Sequence, residues 1–200
     1  MKQHMTTTAS IPLFRAGLNW LSPRTALFLV ALLGGLALPV WAAPGQDNRA
    51  PEVPNALVVP EGNKVSFHAY AVGVQIYIST PSPADPNIFV WTFKAPEAVL
   101  FDDDGNFVGT HYAGPTWESN SGSKTVGARV AGMTVDATAI PWLLLAAART
   151  EGPGILEHTT YVQRVNTIGG LAPSVAPTEA GLERRVPYSA DYYFFRESQH

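Results

Sequence analysis

The chain has 200 residues, 46% hydrophobic and 14% charged, with no Cys. It is too apolar and too lightly charged for a disordered chain, and its length suits one domain. Without Cys there is no thiol nucleophile, disulfide frame, zinc ribbon or iron–sulfur cluster.

Residues 1–42 contain no Asp or Glu. Lys2, Arg15 and Arg24 precede an apolar run from Ala26 to Val40, which exits through Trp41-Ala42-Ala43. A charged start, an apolar centre and a small-residue exit predict a secretory signal peptide cleaved near Ala42. Gly34, Gly35 and Pro39 interrupt the run, which is short for a membrane span. The expected location is therefore periplasmic or secreted, with no membrane insertion after cleavage. The whole chain sets 13 Lys and Arg against 16 Asp and Glu, a balance of −3. Removing the three leader cations takes it to −6. Arg184-Arg185 is the only basic pair beyond the leader, so nucleic acid is a poor partner.

Residues 43–55 (APGQDNRAPEVPN) read as a flexible, Pro-rich lead-in, and residues 56–200 as the domain. Val65, Phe67, Ala69 and Ala71 alternate with polar neighbours; beyond Gly73 the apolar series resumes on the other parity as Val74, Ile76 and Ile78. Period two predicts a strand, with a bend at Gly73. Pro81, Pro83 and Pro86 mark a loop, and Ile88 to Phe93 a strand closed by Ala95-Pro96. Val99–Phe101 and Asn106–Val108 flank Asp102-Asp103-Asp104-Gly105, a hairpin with Gly105 in the left-handed position. Thr125–Val130, Thr159–Arg164 and Tyr188–Arg196 complete the strands. Trp142–Arg149 (WLLLAAAR) suits either a strand or a short helix, with Pro141 at its first turn. Short strands separated by Gly/Pro turns predict an all-β fold, a β-sandwich of short antiparallel strands, with a closed β-barrel as the alternative.

Gly109 to Glu118 (GTHYAGPTWE) concentrates chemistry. His111 and Glu118 at one loop mouth would make an acid/base pair, walled by Tyr112 and Trp117. The structural reading puts Tyr112 and Trp117 in the core, His111 on backbone and Glu118 in solvent. No His has metal-ligand spacing; His68 and His111, with Glu118 or His158 as a third group, are weak metal candidates. Aligning Gly105 with the glycine of a calcium loop puts Leu100 and His111 at ligand positions, so that motif fails and a solvated turn remains. Arg164, among Gln163, Asn166 and Thr167, either anchors a buried polar network or clamps a carboxylate. No nucleotide, phosphate-loop or serine-hydrolase motif is present, and no cofactor is implied.

The strings GVQIY (73–77), WTFKAPEAVLFDDDGNFVGTHYAGPTWE (91–118), AIPWLLLAA (139–147), TYVQRVNTIGGLAP (160–173) and YSADYYFF (188–195) resemble domain-of-unknown-function family 3455. The resemblance implies an exported all-β protein and brings no defined activity or site residues. It also implies a Cys just after GVQIY and another after the GG-x-AP stretch; here those regions read Ile78-Ser79 and Ser174-Val175-Ala176-Pro177, consistent with loss of one disulfide.

Three classes of function follow. The first is a non-enzymatic binding or structural module of the cell envelope or extracellular space, resting on the lack of a complete catalytic constellation. The second is a carbohydrate or phenolic ligand binder using Tyr77, Trp91, Tyr112 and Trp117. The third is a hydrolase or lyase using His111 and Glu118, with Arg164 for an anionic group; it fails if His111 and Glu118 face opposite sides of the sheet.

Overall fold

The structure is a computed structural model that describes residues 49–198; the predicted leader and residues 43–48 of the lead-in lie outside them. A 3-10 turn at Asn55–Leu57 precedes eight strands. These are β1 (Asn63–Pro81), β2 (Phe89–Phe101), β3 (Phe107–Tyr112), β4 (Thr116–Ser119), β5 (Lys124–Met133), β6 (Trp142–Glu151), β7 (Tyr161–Gly169) and β8 (Glu183–Glu197). The fold is all-β and antiparallel, as the alternation predicts. Each strand pairs with its sequence neighbours, and β8 returns to pair with β1, so the sheet closes as a barrel. Of the two arrangements left open by the pattern, the pairing is that of the barrel, in which every strand is paired on both sides over part of its length. Among the described residues no helix is long and apolar enough to cross a membrane.

The helix alternative for 142–149 does not hold, because the stretch forms β6. Leu145 faces the core, paired with Val162 of β7, while Leu144 faces outward beside Gln163. Both leucines are buried. A strand covered on both faces loses its alternation and reads as a continuous apolar run, which periodicity cannot distinguish from helix. Part of the outer cover is Leu57 of the 3-10 turn, fully buried and tied to β7 by Gln163 Nε2 donating to its carbonyl at 2.6 Å.

Two further boundaries move. Ala95-Pro96 does not end a strand, since β2 runs through it. The β2–β3 ladder begins only at Ala98, so Pro96 lies where β2 is paired on one side alone, and its missing N–H is tolerated. Gly73 likewise marks no break in pairing: β1 keeps register across it with both β2 and β8. A side chain there would collide with the Glu97–Ala98 backbone of β2, so the glycine serves close strand approach.

The inward parity of Phe67, Ala69 and Ala71 therefore continues across Gly73 into Gln75, Tyr77 and Ser79, all of them buried. The lumen therefore changes character along its length. One half is packed with Phe67, Leu100, Trp117, Val162, Tyr192 and Phe194. Trp117 meets Tyr192 and Phe194 edge-on at 5.3 and 5.9 Å, and Phe194 lies 5.6 Å from Phe67. Gly127 makes room for the indole: a Cβ there would lie 2.9 Å from Trp117 Cζ3. The other half opens toward the turns at 82–88, 113–115, 134–141 and 170–182, and it is polar.

Candidate functional site at the open end of the barrel

A cavity of about 520 Å³ occupies the open half. That volume suits a small organic ligand. Its walls include the apolar Pro96, Leu143 and Leu145, with Phe93 at the mouth. Its polar lining is Gln75 and Tyr77 of β1, His111 of β3, Arg129 of β5, Arg164 of β7 and Lys94 of β2. Three cations and no carboxylate line it. A broader depression of about 720 Å³ at the opposite end has the reverse character, with Glu61 and Glu197 and no cation.

Arg164 faces inward because it pairs with Leu143, two residues along the ladder from Leu145 and Val162. Its Nε and Nη2 donate to the Pro141 carbonyl at 3.2 and 2.8 Å. No carboxylate pairs with this half-buried guanidinium among the described residues. Its positive charge reaches His111, Tyr77, Tyr188 and Tyr192, in each case disfavouring added positive charge or favouring phenolate. Burial outweighs it at the phenols and raises their pKa values, so they stay protonated. Tyr77 uses its hydroxyl to donate to Gly170 O at 2.7 Å. Arg129 also lacks a carboxylate partner among the described residues. Gly132 leaves space for its guanidinium, since a Cβ there would come within 2.5 Å of Nη2. Lys94, by contrast, is paired with Glu183.

Gln75 is 2% exposed, and its Nε2 makes no hydrogen bond of normal geometry, although it lies near the Tyr188 hydroxyl. An unpartnered buried amide donor costs about 1–3 kcal/mol. His111 forms the floor, its ring stacked on Trp117 at 4.6 Å and 10°. Its Nδ1–H donates to Thr116 O at 2.9 Å. Burial, helped by the Arg164 charge, pushes its pKa down to about 3. The ring is therefore neutral at ordinary pH, and Nε2 is left as an acceptor.

The predicted site residues divide between the faces. The 109–118 stretch is a hairpin of β3 and β4 rather than a loop mouth. His111 is paired with Trp117, and Thr110 with Glu118, so His111 and Trp117 face the lumen while Glu118 and Tyr112 face outward. Tyr112 Oη donates to Glu118 Oε2 at 2.7 Å, and Lys124 lies 3.3 Å from the same oxygen. Those contacts hold the Glu118 carboxyl below its ordinary range and the Tyr112 phenol above its own. The acid/base pair of His111 with Glu118 is thus not assembled, because the two residues differ in strand parity.

His68 lies on the outer face, stacked on Tyr193 at 4.3 Å and 3.0 Å from Asp103, so it does not converge with His111. His158 is exposed beside Glu157. Among the described residues no group of three or more His, Cys, Asp or Glu is placed to hold a metal ion. Of the four aromatic candidates, only Tyr77 lines the cavity. Trp117 is buried beneath it, and Tyr112 lies outside. Trp91 is at the rim, donating to Val175 O at 2.8 Å with Arg184 over its ring. Sequence reading missed Gln75, Arg129 and Phe93. The available signal was parity: Gln75 and Tyr77 continue the inward series of β1.

The sequence pattern of a family described as proteins of unknown function, DUF3455, matches residues 60–196. The chain belongs to this family. No curated protein and no solved structure matches it. The match takes in seven strands whole, β8 up to its last residue, and every residue of the cavity. In the first of the two segments where the resemblance implies cysteines, Ser79 is hydrogen-bonded to residues just beyond the second: its Oγ donates to Glu179 O at 2.6 Å, and Gly181 N donates to Ser79 O at 2.9 Å.

Proposed function

We propose that this DUF3455 protein is an exported binding module that takes a small organic anion into the open end of its barrel. The reading rests on one observation: Arg164, half-buried and without a carboxylate partner among the described residues, lines a cavity with two other cations and no acid. A cation held out of water without a counter-ion is costly, and an entering carboxylate would relieve that cost while gaining charge-assisted hydrogen bonds. The net-negative chain repels anions elsewhere, so the cavity is a local exception. Apolar walls favour an anion with a hydrophobic body over a bare inorganic ion. Export is carried by the leader at 1–42. Titration calorimetry with benzoate tests the reading. Saturable binding that weakens about tenfold or more in Arg164→Met supports it. Equal binding by wild type and variant, or no binding at millimolar benzoate, contradicts it.

A second reading, docking of an envelope or extracellular protein on the barrel mouth, is favoured by exposed Ile88, Val90, Phe93, Ile168 and Val175 near that end. Co-purification that survives Arg164→Met but is lost on Phe93→Ser with Ile168→Ser would favour it.

A further inference from the structure

The cavity has two poles of opposite hydrogen-bonding character. Arg164 on β7, Arg129 on β5 and Gln75 Nε2 on β1 offer donors. His111 stands on β3, four strands from β7 in either direction round the barrel, and thus on the opposite wall. Its ring is fixed in one tautomer, because Nδ1–H is committed to Thr116 O at 2.9 Å. Stacking on Trp117 at 4.6 Å and contact with Tyr192 at 5.0 Å hold the ring plane. Nε2 can therefore only accept. Burial depresses the pKa to about 3, and so preserves that character across ordinary pH. Arg164 adds to the effect, since a second positive charge on His111 would face it. A ligand that met only the cationic pole would leave a buried acceptor unsatisfied on the far wall.

Resting on the anion-binding reading above, we infer that the ligand is an aromatic hydroxy acid, whose carboxylate meets Arg164 and whose hydroxyl donates to His111 Nε2. The flat apolar body would lie against Leu143, Leu145 and Pro96 between the poles. The cavity of about 520 Å³ accommodates one such ring with its substituents. A site built to receive a hydroxyl discriminates strongly against the analogue lacking it, because its polar group is then left unpaired.

Calorimetry on the whole protein with benzoate, para-hydroxybenzoate and para-methoxybenzoate separates the claims. The methoxy compound keeps an oxygen at that position but removes the donor. Para-hydroxybenzoate is expected to bind about tenfold or more tighter than either analogue. In His111→Asn, whose amide can still donate to Thr116 O but falls short of the Nε2 position, that preference should vanish. In His111→Gln, which can place a carbonyl near that position, part of the preference should return. Equal affinities for benzoate and para-hydroxybenzoate in the wild type overturn the inference whether or not the variants fold. A preference that survives His111→Asn overturns it too. If discrimination is absent but all three compounds weaken in Arg164→Met, the anion-binding reading stands and this inference alone fails. If none binds, both fall.

Discussion

The two halves of the barrel lumen are built on the same strands and meet opposite demands. Beyond Gly73 of β1, Gln75, Tyr77 and Ser79 take the inward positions that Phe67, Ala69 and Ala71 occupy before it. β7 makes the same change from Val162 to Arg164, and β3 places His111 where the halves meet. The closed half buries aromatic rings against one another and supplies packing energy. The open half holds a guanidinium without a carboxylate partner and an unpartnered amide donor, both of which cost stability. On the proposed reading these groups are kept for binding, since stability alone would favour apolar replacements. The contrast teaches that a barrel can separate scaffold from site along its axis with no change of topology.

The largest test of this division is Phe194→Ala in the closed half. Phe194 is fully buried between Phe67 and Trp117, so its loss should cost about 3–5 kcal/mol in urea unfolding. A cost below about 1 kcal/mol would show that this half is not the packed core.

The next effect is a pH dependence at the boundary. Unfolded His111 takes a proton near pH 6.5, and folded His111 only near pH 3. Between these values the unfolded chain binds more protons, so stability is present above pH 6.5 and is lost as pH falls toward 3. From pH 7 to pH 4 the His111 share of the loss should be about 3 kcal/mol. His111→Asn should remove that share from the pH profile of unfolding. An identical profile in the variant would mean that His111 is not buried neutral.

Smaller still is Arg164→Met in the open half. Removing a cation that has no carboxylate partner should change unfolding free energy by no more than about 1 kcal/mol, and it can raise it. The same substitution should weaken anion binding about tenfold or more. A large stability loss would instead make Arg164 a structural anchor. The smallest effect is expected for Glu118→Gln, on the outer face with Tyr112 and Lys124. Neither the unfolding midpoint nor benzoate affinity should move, and a loss of affinity would reopen a role for Glu118 at the site.

Alternation made the strands and the all-β class legible, because one side of each strand is buried. Closure into a barrel was not legible: it depends on β8 meeting β1 across the whole chain, and no local pattern encodes that. β6 was ambiguous because Leu144 and Leu145 are buried on opposite faces. Arg164 was singled out by its unusual setting on a strand, with a structural anchor and a carboxylate clamp left as alternatives, and it does line the cavity. His111 was singled out, but its partner was misassigned, since sequence proximity to Glu118 says nothing once strand parity separates them. Gln75 and Arg129 were hidden because a polar residue at an inward position looks, in sequence, like one facing water.

The most direct measurement is an NMR titration of the labelled protein with para-hydroxybenzoate, following backbone amides. Anion binding in the cavity should give saturable shifts confined to the open half, at Gln75, Tyr77, His111, Arg129 and Arg164, with Phe67, Val162 and Phe194 unmoved. Shifts centred on the Glu61 and Glu197 depression, or none at saturating concentration, would contradict it.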